Sequence, residues 1–277
     1  MTFGARLHEA MESRGPLCAG IDPHPSLLDA WGLPDSVDGL ERFALTAAEA
    51  LGSTAAAVKP QSAFFERFGS RGIAVLERVV ETARQGGALV VLDVKRGDIG
   101  STAQGYADAY LDPASPIAVD AITATPYLGF GSLTPMIETA RRHDKGVFVL
   151  ALTSNPEAPQ FQHARTAAGA TVAGTVLSEL AGLNAGAGPM GSFGAVVGAT
   201  IEPTAEDLDI NGPLLVPGVG AQGGTADDVR RIFGSVLHRV LPSSSREILG
   251  AGPDQAALRE AVQRTVDAFV ALRGPVR

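Results

Sequence analysis

Cysteine is almost absent from this chain, aromatic residues are few, and there are no long apolar runs and no excess of positive charge. The single cysteine, Cys18, rules out an intrachain disulfide and, lying in an apolar run, reads as a small buried residue of a reducing compartment. No stretch reaches the roughly 18 apolar residues that a membrane span needs. The N-terminal segment carries Glu9 and Glu12 and has no apolar centre, so it does not read as a signal peptide and a cytoplasmic location is expected. A net charge of −8 argues against a general nucleic-acid surface, and any anionic ligand would need a locally cationic pocket. The five histidines are scattered without metal-ligand spacing. There is no G-x-S-x-G elbow for a serine hydrolase and no cofactor motif that survives inspection.

What the chain has instead is alanine, valine and leucine in short runs that alternate with amphipathic stretches. With 45% hydrophobic and only 5% aromatic residues, it suits an α/β protein filled by aliphatic side chains. Apolar runs at 17–21, 55–58, 89–92, 118–123, 146–152, 195–198, 214–217 and 239–241 read as strands. Helical spacing covers 37–51, 73–85, 101–111, 133–142, 166–183, 204–208, 226–233 and 254–272, with one further helix in front at 3–14. The stretch 23–34, the segment opening at Phe64 and Phe65, and the polar run from 153 to His163 are expected to be loops. Strict strand-then-helix alternation implies a parallel sheet. Eight such units in 277 residues predict a closed (β/α)₈ TIM barrel occupying the whole chain, 1–277, as a single domain. A doubly wound open sheet is the alternative.

The polar residues fall where a barrel uses them. Asp22, Lys59, Asp93, Lys95, Thr123, Ser154, Gln222 and Arg246 all lie at or just after a predicted strand's C-terminal end, the catalytic face of such barrels. The densest group is Asp-x-Lys-x-x-Asp: Asp93, Lys95 and Asp98. Alternation along a strand puts Asp93 and Lys95 on one side. Buried charges are costly unless paired or used. A plain salt bridge at a strand end is the bland account; the convergence of the other strand ends favours a functional one. Lys59 could be a surface charge, a Schiff-base nucleophile or a positioning cation. Neighbouring carboxylates would keep it and Lys95 protonated, which favours cationic, acid-type roles.

Gly218-x-Gly220-x-x-Gly223 matches the dinucleotide fingerprint, but it comes late in the chain and the next strand ends in serines rather than an acid. A loop whose amides at Gly220 and Gly223 hold a single phosphate, with Arg246 as a bidentate cation, is the better reading.

These residues resemble the orotidine 5′-phosphate decarboxylase family, in its longer bacterial (type 2) form, over nearly the whole chain. The most specific match is Asp93-Val94-Lys95-Arg96-Gly97-Asp98-Ile99-Gly100-Ser101-Thr102, preceded by Lys59. The resemblance implies cofactor-independent loss of CO₂ from orotidine 5′-monophosphate, giving uridine 5′-monophosphate in the last step of de novo synthesis. It maps the catalytic tetrad onto Lys59, Asp93, Lys95 and Asp98, with Lys95 protonating C6. It implies a homodimer in which Asp98, Ile99 and Thr102 act in the partner's site. Asp22 would accept from the ribose, Ser154 would read the pyrimidine, and Gln222 and Arg246 would grip the phosphate. The loops around Ser154 and before Arg246 depart from the short form. Three rivals remain: a Mg²⁺-dependent 3-keto-sugar-phosphate decarboxylase on the same barrel, which Lys59 argues against; a Schiff-base aldolase; and a non-catalytic phosphate sensor.

Overall fold

The computed structural model describes residues 1–201, 204–220 and 223–273. Its elements run α1 (Phe3–Arg14), β1 (Cys18–Ile21), α2 (Pro25–Ala30), α3 (Val37–Gly52), β2 (Ala57–Pro60), α4 (Ala63–Glu66), α5 (Gly69–Gln85) and β3 (Leu89–Arg96). They continue through α6 (Gly100–Leu111), β4 (Ala121–Ala124), α7 (Thr134–Arg142), β5 (Gly146–Leu152), α8 (Ala158–Gln162), α9 (Val172–Leu183), β6 (Phe193–Val197) and β7 (Leu214–Pro217). The chain closes with α10 (Ala226–Phe233), β8 (Val240–Ser244), α11 (Arg246–Leu249) and α12 (Gln255–Arg273). The strands pair in sequence order, all parallel, and β8 returns to β1 to close the barrel. The open-sheet alternative is thereby excluded.

Why the strands are apolar throughout follows from closure, because both faces are covered. Along β3, Val90, Leu92 and Val94 pack into the layer between barrel and helices, whereas Val91 faces the barrel interior. The interior holds Cys18, Ala57, Val91, Ala121, Phe148, Leu215 and Leu241. Helix α1 plugs its N-terminal end with Phe3, Leu7 and Met11, each such burial stabilising by about 2 kcal/mol. Phe3 meets Phe148 edge-on at 6.0 Å. It lies so close to the start of β5 that a Cβ on Gly146 would sit 2.3 Å from its ring, so only glycine fits.

The same end carries a charged girdle that periodicity does not reveal. Asp120, 6% exposed just before β4, accepts from Arg6 Nη1 at 2.8 Å and from the Val90 amide at 3.0 Å. Arg84 and Lys145 approach it at 3.8 Å. Burial pushes its carboxyl up, but the Arg6 and Val90 hydrogen bonds and the Lys145 charge outweigh that and hold it below the usual range.

Local structure departs from the sequence reading at several connections. The expected 23–34 loop contains α2, because Pro25 sits at the first helical position, where its missing N–H costs nothing. Short helices α4 and α8 replace the loops expected after Phe64 and around 158–162. Helix α9 starts at Val172 rather than at 166. The Thr171 hydroxyl caps it by accepting from the Gly174 amide at 2.8 Å, while Gly169, at φ 88°, turns the preceding chain back on itself. The helix expected at 204–208 does not form. Thr204 Oγ1 accepts from the Glu206 amide and Asp207 Oδ1 from the Asp209 amide, side-chain bonds that compete with the helical ladder.

Candidate active site

The cluster forms where three strands end together. β2 carries Lys59, β3 carries Asp93 and Lys95, and β4 carries Thr123. Because Val91 faces inward, so does Asp93 two residues later. It is 7% exposed, and Lys59 beside it 6%. Lys59 Nζ donates to Asp93 Oδ2 at 3.0 Å, and Lys95 Nζ donates to Asp93 Oδ1 at 2.6 Å. Simple alternation is not what brings Lys95 back. The β3–β4 register breaks between Leu92 and Arg96, and Lys95 adopts φ 45°, a left-handed backbone that costs a residue with a Cβ about 1–2 kcal/mol. Its backbone N–H donates to Thr123 Oγ1 at 2.9 Å, and that hydroxyl donates to Asp93 Oδ1 at 2.8 Å.

The charges reinforce one another. Burial by itself would lower the Lys59 amine, but the Asp22 and Asp93 carboxylates outweigh it and hold the amine above its ordinary value. Burial would likewise raise Asp93, but Lys59, Lys95 and Thr123 hold it far below the usual carboxylate range. Lys59 and Asp93 are therefore both charged at neutral pH, an ion pair kept out of water at the mouth of a cavity.

That cavity, about 290 Å³, is lined by Asp22, Lys59, Asp93, Lys95 and Arg246 together with His24, Gln61, Ser243 and Ser245. Three cations against two carboxylates make it locally positive on a chain of net charge −8, as an anionic ligand requires. Asp22 Oδ1 is buried and has no hydrogen-bond partner. A buried acceptor left open beside a cavity suits a ligand hydroxyl. Below the floor, Cys18 bonds to Ser243; burial pushes its thiol up to about 12, so it is inert at neutral pH.

Asp22, Lys59, Asp93, Lys95 and Arg246 are thus brought together. The others are not. Asp98 is half-buried and accepts from the neighbouring Ile99 amide at 2.8 Å rather than from Lys95. Ile99 is 61% exposed, and Thr102 is also exposed. Ser154 is exposed and lines a second cavity of about 450 Å³, with His163, Arg165, Thr171 and Glu206 between the loops after β5 and β6. The amides of Gly220 and Gly223, expected to face a phosphate, are spent within their own loop, on Gly224 O at 2.8 Å and Gly220 O at 2.7 Å. Arg246 is the charged donor on this side. Gln222 lies outside the described residues.

Gln61, Ser243 and Ser245 line the cavity although the sequence reading gave them no role, and His24, read as loop furniture, lines it too, packed edge-on against Phe64 at 4.2 Å. All four sit at or just past the ends of β1, β2 and β8, so the strand-end rule could have flagged them.

A sequence model described as the orotidine 5′-phosphate decarboxylase / HUMPS family matches residues 15–261. The orotidine 5′-phosphate decarboxylase of Salinispora arenicola is 62% identical over 275 residues, 99% of this chain and 99% of its own length. That of a Nocardioides species is 65% identical over 268 residues, 96% of this chain and 97% of the relative. Among solved structures, a Streptomyces avermitilis protein, whose own assignment to this activity is provisional, is 58% identical with a TM-score of 0.96, over 98% of this chain and 95% of that one. The Leishmania donovani OMP decarboxylase is 30% identical with a TM-score of 0.77, over 99% of each chain.

Proposed function

The chain belongs to the orotidine 5′-phosphate decarboxylase / HUMPS family, and we propose from that premise how its barrel rim converts orotidine 5′-monophosphate to uridine 5′-monophosphate. Orotidine 5′-phosphate decarboxylation, a carbon–carbon lyase reaction of UMP biosynthesis, is its activity. The residue roles rest on one observation: a buried carboxylate, Asp93, holding Lys59 at 3.0 Å and Lys95 at 2.6 Å at the mouth of a cationic cavity.

Breaking the C6–carboxylate bond releases CO₂ and leaves an electron pair on a ring carbon with no electron sink. The enzyme must then meet that charge with a fixed cation. Lys95 is that cation and the proton donor: its ammonium transfers a proton to C6 and becomes a neutral amine. Asp93 orients Lys95 through their 2.6 Å ion pair, and lies against the departing carboxylate. Lys59 balances Asp93, so that burying the acid does not neutralise it. Asp22, with its open Oδ1, accepts from a ribose hydroxyl. Arg246, exposed at the start of α11 and lining the cavity, takes the phosphate in a bidentate grip. Gln222 would join it there. Ser154 would reach the pyrimidine by movement of the loop after β5, over the second cavity. No cofactor enters this scheme.

The active form is a homodimer in this proposal, with the chain folded as one barrel domain. Asp98, Ile99 and Thr102 stand at the start of α6, outside their own chain's cavity. Exposed apolar groups share that rim: Ile99 after β3, Tyr127 and Leu128 after β4, and Phe161 in α8, with the Tyr127 and Phe161 rings 5.0 Å apart. Those positions suit delivery of Asp98, Ile99 and Thr102 into a partner's site. Among the described residues no helix is long and apolar enough to cross a membrane. A cytoplasmic location is part of this proposal.

The test is the loss of orotidylate absorbance on adding purified protein in excess chelator. Full turnover there is expected. Activity that appears only with Mg²⁺ would transfer the chain to the keto-sugar-phosphate reading, against which Lys59 stands.

A further inference from the structure

Thr123 is not among the residues that line the cavity, yet its hydroxyl bonds both the backbone of the reacting lysine and the carboxylate that holds that lysine's ammonium. It is 1% exposed at the end of β4. A hydroxyl has one proton to give and lone pairs to receive with. Ionised Asp93 can only accept, so the proton of Thr123 goes to Asp93 Oδ1 at 2.8 Å. The lone pair then takes the backbone N–H of Lys95 at 2.9 Å. The oxygen that Thr123 holds is the same Oδ1 to which Lys95 Nζ donates at 2.6 Å. A closed circuit results: Lys95 backbone, Thr123 hydroxyl, Asp93 carboxylate, Lys95 ammonium.

We propose that Thr123 is a positioning residue for the decarboxylation, fixing the left-handed turn at Lys95 and the rotamer of Asp93 so that the Lys95 ammonium is aimed into the cavity before substrate arrives. The proposal rests on the reading of Lys95 as the proton donor. The physical need is specific. A lysine at φ 45° sits in a backbone well that it leaves readily unless something holds it. The β3–β4 ladder cannot do so, because the pairing breaks across these residues and resumes only at Arg96 with Ala124. The Thr123 side chain replaces the missing ladder bond. Valine would keep the shape and strand preference of threonine but leave the Lys95 N–H without an acceptor and Asp93 Oδ1 without one of its two donors. Lys95 could then relax toward an extended backbone, swinging its head away from Asp93. An error of this size in the placement of a reacting group costs about 10²-fold in rate.

The experiment compares Thr123→Val and Thr123→Ser with the unmodified enzyme in steady-state decarboxylation, alongside titration with uridine 5′-monophosphate. For Thr123→Val, kcat is expected to fall about 10²-fold with KM and product affinity within about twofold, because phosphate and ribose contacts are untouched. Thr123→Ser keeps the hydroxyl and should return kcat to within about fivefold of the unmodified enzyme. Near-normal kcat in Thr123→Val overturns the proposal. So does parallel loss of kcat and product affinity, the mark of a collapsed site, and so does a serine variant as impaired as the valine one. If Thr123→Val fails to fold, Thr123→Ala takes its place: it also removes the hydroxyl, and near-normal kcat in it overturns the proposal in the same way. Lys95→Ala in the same assay separates the premise from the inference. Full activity there defeats the role of Lys95 itself, whereas an inactive Lys95→Ala beside a normal Thr123→Val defeats only the role of Thr123.

Discussion

Two aspartates are buried at opposite ends of the barrel, each ringed by basic side chains, and they do different things. Asp120 at the N-terminal end is satisfied by Arg6 and the Val90 amide, with Arg84 and Lys145 at 3.8 Å. Two of its cations are also tied to main-chain carbonyls, Arg6 to Asp144 O at 2.9 Å and Arg84 to Ala118 O at 2.7 Å. The group staples helix and turn to strand. Asp93 at the C-terminal end is satisfied by Lys59, Lys95 and Thr123, but two of its partners are free ammonium heads rather than backbone-anchored guanidinium groups. A guanidinium has a fixed fork and keeps its proton, whereas an ammonium can give one away. The comparison teaches that burial and a lowered carboxyl pKa, common to both, do not mark a catalytic group. What sets Asp93 apart is that both cations hydrogen-bonded to it are ammonium groups, where Asp120 bonds the Arg6 guanidinium and the Lys145 ammonium stays 3.8 Å away, and that Asp93 faces the cationic cavity.

The largest expected effect breaks the comparison at the C-terminal end. Lys95→Ala should lower kcat by about 10⁴-fold while uridine 5′-monophosphate still binds, since it removes both the C6 cation and the proton donor. Mixed and re-equilibrated with an equally inactive Asp98→Ala variant, it should recover about a quarter of unmodified activity. Half of randomly paired dimers are then heterodimers, with one intact site in two. No recovery would place Asp98 in its own chain's site or remove it from catalysis.

Next in size, Arg246→Ala should raise KM by about 10- to 100-fold, the worth of charge-assisted hydrogen bonds to phosphate, with a smaller effect on kcat. Unchanged kinetics would move the phosphate site elsewhere.

The smallest effect sharpens the other side. Asp120→Asn should cost about 2 kcal/mol of stability, because buried cations lose their counter-charge, and leave kcat per folded molecule unchanged. The pH dependence follows from the sign of the shift. The Asp120 carboxyl is depressed in the fold, so its contribution is complete above the ordinary carboxylate value near 4 and is lost as pH falls through the lower folded value. The groups facing it are Arg6 of α1, Arg84 of α5, Lys145 before β5 and the Val90 amide of β3. The gap in melting temperature between Asp120→Asn and the unmodified enzyme should therefore narrow on acidification from pH 7. A gap that stays constant in acid would mean that the charge on Asp120 does not carry the stabilisation.

Much of the fold was legible because barrel strands are covered on both faces and helices on one, so period and run length reveal each. β5, β7 and α10 lie where their apolar patterns placed them. The elements that differ are those whose ends are decided by single side-chain bonds. The Thr171 cap shortens α9, the Thr204 and Asp207 bonds abolish a helix, and Pro25 nucleates one inside a loop. In the site, Asp22, Lys59, Asp93, Lys95 and Arg246 were readable as strand-end residues, and they line one cavity. Ser243 and Ser245 line it too, although serine carries no charge to draw notice.

From the sequence alone follow the strand and helix periods, the eightfold alternation and the clustering of polar residues at strand ends, because backbone geometry writes those patterns over a few neighbouring residues. Only the tertiary structure decides that Thr123 closes a circuit with Lys95 and Asp93, that Arg6, Arg84 and Lys145 converge on Asp120, and that Asp22 Oδ1 is left open. Each of these depends on the register of one strand against another and on how the barrel closes. Such contacts join residues up to 114 positions apart, as Arg6 and Asp120 are, and no local pattern records them.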